Sequence, residues 1–223
     1  MAYRSKKSIM DGIDTSIDNS GKAMSWIVAR NTVRYIRPDG ACVVRLHLTD
    51  IVTATTDGMF MLNSSGWKTV TTKDRINKFS PAFIRSEKGI WMMNGHIPFF
   101  DGVIIDQHGI VQNPEFAPRL SDLLGLKESI NRFVKLVDTQ RTLPEPDAGD
   151  CFICRFAHPT NAGPDHLLSH IDEGYLHGSL LVNAMRWAGY RDDQIGLHYS
   201  MDLRDTFKRA LRRYLKHSLA LGG

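Results

Sequence analysis

Cys151-Phe-Ile-Cys154, followed by His166-Leu-Leu-Ser-His170, sets two thiols and two imidazoles at a spacing of C-x2-C-x11-H-x3-H. That spacing is close to the one used by Cys2His2 structural zinc sites. A Cys-x2-Cys turn brings two thiolates onto one ion at about 2.3 Å. Asp165, after Pro164, is a candidate helix cap, and His166 and His170 then share one face of the helix that follows. Four protein ligands close a tetrahedron, and a closed site is structural rather than catalytic. The likeness to a zinc finger stops at the spacing, because the stretch between Cys154 and His166 has none of a finger's apolar pattern. His158 and His177 are further donors, either of which could displace one of the four. The competing reading is two buried thiols beside a His-rich helix.

A second chemistry is the capture of phosphate. The C-terminal segment from about Asp202 to Leu221 reads as an amphipathic helix, with Leu203, Phe207, Ala210, Leu211, Tyr214 and Ser218 on one face. Arg204, Lys208, Arg209, Arg212, Arg213 and Lys216 lie mostly on the other, with Asp205 among them. Such a face attracts phosphates, and arginine favours planar, two-point contacts. The same pattern also describes any soluble helix packed on a core. Trp67-Lys68, with Lys73, Arg75 and Lys78, is the second basic segment: the Trp could stack a base and the helix after it hold the backbone. The amides near Thr71 and Thr72 would suit an anion at that helix's start. The alternative is a core Trp and an ordinary capped helix.

Acid–base candidates are His47 with Asp50, Asp101 with Asp106, His96, and Asp172-Glu173 beside the proposed ion. A two-carboxylate nuclease site needs acids converging on a metal. Asp101 and Asp106 are five apart, so on a regular strand they would face opposite ways. The chain contains no G-x-S-x-G or H-E-x-x-H motif and no phosphate-binding glycine loop before a helix. A metal-dependent nuclease is therefore the lowest-ranked of three functional readings.

The elements that must position these groups fall into two halves. Residues 1–24 are polar and aperiodic and read as a flexible arm. From 25 to 115, short β-branched and aromatic runs alternate with turn signals such as Pro38-Asp39-Gly40, Asp57-Gly58 and Asn94-Gly95. They predict an antiparallel β meander or small barrel carrying one short helix over 73–79, capped by Thr71 or Thr72. After Pro118 the period becomes helical, through Leu120, Ile130, Phe133, Val134 and Val137. A Pro-rich linker, 142–149, leads to the Cys knuckle. Ser179 is the expected cap of a helix over 180–187. The fold class is thus α+β, with a zinc-stapled helical region over 119–223.

Composition narrows the setting. A net charge of +4 permits a nucleic-acid partner without demanding one. Three cysteines, with Cys42 isolated, make no disulfide framework. No apolar run is long enough to span a bilayer and no signal core follows the basic start, so a cytoplasmic protein with no membrane partner is expected.

Three stretches carry a resemblance. They are Arg45-Leu-His-Leu-Thr-Asp-Ile-Val52 with Leu62-Asn-Ser-Ser-Gly-Trp-Lys-Thr-Val-Thr-Thr-Lys-Asp-Arg-Ile-Asn77; the Cys151–Cys154 and His166–His170 pairs; and Arg209-Ala-Leu-Arg-Arg-Tyr-Leu215. Together they resemble a conserved protein family of tailed bacteriophages, with the N-terminal arm outside the likeness. The resemblance implies a phage origin and expression in the cytoplasm of a bacterial host, and it carries over no functional residues. The function expected is non-catalytic nucleic-acid binding by an accessory or regulatory phage protein with a structural zinc. The alternative is a host-directed inhibitor acting through contacts with a bacterial protein.

Overall fold

The computed structural model describes residues 25–156 and 162–221; the arm at 1–24 and His158 lie outside the described residues. The protein is α+β, with antiparallel sheets in its N-terminal part and helices in its C-terminal part. It divides into two compact units, with the boundary between Leu120 and Ser121.

The first unit begins with five strands, each paired antiparallel to the next: β1 (Ser25–Ala29), β2 (Thr32–Ile36), β3 (Cys42–Leu46), β4 (Thr49–Ala54) and β5 (Phe60–Leu62). The run 25–36, which reads as one strand in sequence, is a hairpin. Asn31 takes a φ of 58° at its tip, a left-handed conformation that Asn tolerates better than most residues. Helix α1 (Val70–Phe79) follows, then a second sheet of β6 (Ile84–Glu87), β7 (Ile90–Met93) and β8 (Ile97–Pro98). Strand β9 (Val103–Ile105) returns to pair with β5, giving the order β1-β2-β3-β4-β5-β9. Among the described residues, pairing in that sheet ends at β1 and β9, which makes it an open meander with one added strand.

One irregularity shapes the unit. Val44 faces Val52, but the next pair is Arg45 with Asp50, so Ile51 is the extra residue of a bulge. This turns both Ile51 and Val52 inward, at 0% and 1% exposure. They join Val44, Leu62, Ile76, Ile84, Trp91, Met93, Phe99 and Ile105 in a core shared by both sheets and α1.

The second unit is helical: α2 (Leu120–Thr139), α3 (Phe152–Phe156), α4 (Pro164–Glu173), α5 (Gly178–Trp187), α6 (Asp192–Ser200) and α7 (Arg204–Ser218). Its core includes Leu180, Leu181, Met185, Phe207, Leu211 and Tyr214 of α5 and α7, all fully buried. Helix α4 starts at Pro164, whose fixed φ suits a first helical position, with Gly163 rather than Asp165 as the cap. Gly174 ends it at a φ of 65°. Helix α6 has no counterpart in the sequence reading. Its start is marked by Gln194 reaching back to the Arg191 amide at 3.0 Å and by Asp192 and Asp193 in the first turn.

Gly178, at the start of α5, is required by a close approach. A Cβ there would lie 2.3 Å from the Glu145 carbonyl carbon and 2.6 Å from the Pro146 nitrogen, both backbone atoms. Gly178→Ala should destabilise the protein by about 2–3 kcal/mol as the 145–146 segment is forced away, outweighing alanine's helical advantage of up to about 1 kcal/mol. A denaturant midpoint equal to or above that of the parent chain would contradict this.

Candidate functional site

The four donors predicted from spacing converge. Cys151, Cys154, His166 and His170 place one ligand atom each within 4.8 Å of all the others. Cys151 Sγ and Cys154 Sγ lie 3.5 and 3.3 Å from His166 Nε2, Cys154 Sγ lies 3.4 Å from His170 Nε2, and the two Nε2 atoms are 3.1 Å apart. Metal–ligand bonds of about 2.3 Å to sulfur and 2.05 Å to nitrogen put tetrahedral S···N edges at about 3.5 Å and N···N edges at about 3.3 Å. The cluster therefore already has nearly the dimensions of a tetrahedron around a metal ion, and it could hold one.

Local structure explains the convergence. Helix α3 carries Cys154 one turn beyond Cys151, and the Cys154 amide faces Cys151 Sγ at 3.5 Å. On α4 the two histidines are one turn apart, with rings 4.6 Å from centroid to centroid. Burial, then the neighbouring Cys151 sulfur, holds the Cys154 thiol well above its ordinary pKa. Burial, then His177 and His166, lowers His170 to about 4, and burial also lowers His166. Both imidazoles are therefore neutral at pH 7 and offer lone pairs, whereas Cys154 needs a cation to give up its proton.

Two residues with buried side chains that sequence reasoning missed hold the knuckle. Asp150 accepts from the Cys151 amide at 2.7 Å, the Ser179 amide at 2.6 Å and His177 Nδ1 at 3.0 Å. It thus caps α5 from outside; Ser179 is the capped residue, not the cap. Asn183 donates to the Cys154 carbonyl at 2.5 Å. An acid next to a Cys knuckle was the available signal for Asp150; Asn183 gave none. His177 is committed to Asp150 and is not one of the four convergent donors. With His170 and Glu173 it forms a second group whose ligand atoms lie within 4.8 Å.

The basic residues are dispersed to different duties. Arg204 donates to the carbonyls of Val137 at 3.0 Å, Gln140 at 2.6 Å and Arg141 at 3.1 Å, satisfying the end of α2. Lys208 pairs with Asp138 and Asp205, each at 2.8 Å. Arg209 and Arg213 are exposed. Arg212 donates to Asn131 at 3.3 Å. Burial, then the like charges of Lys127 and Arg212, pushes Lys216 below its ordinary pKa. In the first unit Lys68 is buried and turned inward, with Nζ 3.4 Å from the Phe99 carbonyl. Lys78 lies over Phe79, and Lys73 is half-buried.

Trp67 and Arg75, by contrast, line one cleft of about 730 Å³ together with Arg30, Asn31, His47, Leu48 and Thr71. The cap of α1 is Thr69, whose hydroxyl takes the Thr72 amide at 3.2 Å. Helix α1 therefore starts earlier than the sequence reading, and that amide is already used.

The acid–base candidates serve as structural pins. Asp50 binds Arg45, Arg37 and Tyr35, which outweigh its burial and lower its pKa. Asp101 accepts from Ser64 and Gly66, and Asp106 from the His108 and Ile110 amides. His96 Nδ1 lies 3.0 Å from the Asn94 carbonyl oxygen. His47 sits at the β3–β4 turn with a φ of 54°, not on the strand beside Arg45. Asp172 and Glu173 are exposed.

Comparison with known proteins bears on the first unit. Residues 9–117 match the family described as Kyanoviridae Gp96 protein. Over that stretch, just under half of the chain, the sequence is similar to a phage protein family. The match includes the Arg45–Val52 and Leu62–Asn77 runs and begins inside the N-terminal arm, which the resemblance had left out. The Gp96 match ends before the Cys and His ligands. No curated protein and no solved structure matches the chain. Among the described residues, no helix is long and apolar enough to cross a membrane.

Proposed function

We propose that this chain is a non-catalytic phage accessory protein that binds nucleic acid in the cytoplasm of a bacterial host and carries a structural zinc ion in its helical unit. Zinc fits a closed set of two thiolates and two imidazoles better than the hard cations, which prefer oxygen. The observation that supports the nucleic-acid reading is the exposure of Arg209 and Arg213 on α7, the helix that also carries the half-buried Arg212 and Lys216. Like charges on one helix attract the phosphates of a polyanion.

A mobility-shift titration with duplex DNA, single-stranded DNA and single-stranded RNA tests this. Binding should weaken as salt rises, with a log–log slope of roughly −3 to −4 if about four cations meet phosphates of a duplex. No shift with any of the three at low salt would refute it.

A second reading, docking on a host protein, is favoured by the knuckle's outer surface. Phe152, Ile153 and Phe156 are exposed there, and the two Phe rings lie 4.8 Å apart. Apolar side chains grouped on a surface mark contact sites. A stoichiometric host protein retained by the tagged chain, lost on Phe152→Ser and Phe156→Ser, would support that reading.

A further inference from the structure

We infer that the cleft beside α1 receives one unstacked nucleotide of a single strand, its base against Trp67 and its phosphate on Arg30 and Arg75. The inference rests on the nucleic-acid reading and assigns it a particular site. The cleft's volume of about 730 Å³ lies in the range of small-ligand sites. Its floor includes Leu46 and Ile51, the bulge residue, both buried. Leu48, at 95% exposure, and Trp67, at 48%, give it an apolar rim. Among the described residues, two guanidinium groups line it and no carboxylate does.

The walls are fixed. The His47 amide donates to the Asn31 carbonyl at 2.8 Å, tying two hairpin tips together, and both residues hold positive φ. Arg75 Nε donates to Thr32 Oγ1 at 3.2 Å, which sets its guanidinium against the sheet. Hydroxyl and amide groups of Asn31, Thr49 and Thr71 add hydrogen-bonding capacity without negative charge. An aromatic rim, an apolar floor and paired cations match a base joined to a phosphate. A base inside a duplex is stacked on both faces and cannot enter; one in a single strand can.

Fluorescence anisotropy of the full chain with labelled oligo(dT), oligo(U), a duplex of equal length and thymidine 5′-monophosphate tests the assignment. Trp67→Ala and Arg30→Gln, both at exposed positions, should each weaken single-strand binding on the order of tenfold and leave duplex binding unchanged. Trp67→Phe should restore most of the loss, which a merely structural Trp at a half-exposed site would not require. Single-strand affinity unchanged in both variants overturns the cleft while leaving the nucleic-acid reading intact. Thymidine monophosphate binding as tightly as the strand overturns it as well, by making the cleft a free-nucleotide site. Failure of the parent chain to bind any strand or duplex overturns both.

Discussion

Chelation of the zinc ion proposed for Cys151, Cys154, His166 and His170 should melt the knuckle and α4 and lower the thermal midpoint of the helical unit by about 20 °C. The figure follows from linkage. An ion present at a thousandfold excess over its dissociation constant stabilises the folded state by about 4 kcal/mol. In a unit of roughly one hundred residues each kcal/mol is worth about 4–8 °C. Cys154→Ser and His170→Ala should reproduce the loss without chelator, because both residues are buried and each would leave the site one donor short. The core of Leu180, Leu211 and Tyr214 should keep α5 and α7 helical, so circular dichroism should fall in part rather than collapse. Circular dichroism melts with and without chelator, then with zinc restored, provide the check. Equal midpoints under all conditions would mean the four side chains pack as ordinary core groups.

Charge reversal at Arg209, Arg212 and Arg213 should lower duplex affinity on the order of a hundredfold or more at about 0.1 M salt and flatten the salt slope by about 2.7. Each substitution removes a phosphate contact and substitutes repulsion. Arg209 and Arg213 are exposed; Arg212 also gives up a hydrogen bond to Asn131, and Arg213 a position 5.9 Å over the Trp187 ring. Those losses are worth about 0.5–1.5 kcal/mol apiece, so the variant should stay folded. Reversal at Arg204 is a poor test by comparison, since its three carbonyl partners make it a cap for α2 and its loss would act through stability. Parent-like affinity and slope in the triple variant would remove α7 from the interface.

The convergence of the four donors was legible because it follows from local spacing: a short turn brings two sulfurs together, and an i, i+4 pair brings two imidazoles. The strands were legible through turn chemistry, as at Asp57-Gly58 and Asn94-Gly95. What was not legible depended on partners distant in sequence. Asp150 and Ser179 are 29 residues apart, and nothing in either local pattern announces their bond. Arg204 reads as a surface cation until the end of α2 is placed beside it. Lys68 reads as part of a basic patch, yet lies inside on the Phe99 carbonyl. The bulge at Ile51 hides because two consecutive apolar residues fit a strand of either facing. The cleft is the same kind of case: Arg30, His47 and Trp67 meet only because two hairpin tips and a helix start converge.

The central claim is a tetrahedral ion clasped by the knuckle and α4, and metal analysis of protein purified without added metal tests it most directly. One equivalent of zinc per chain, lost from Cys154→Ser, is the expected result. Metal-free protein that is fully folded would contradict it.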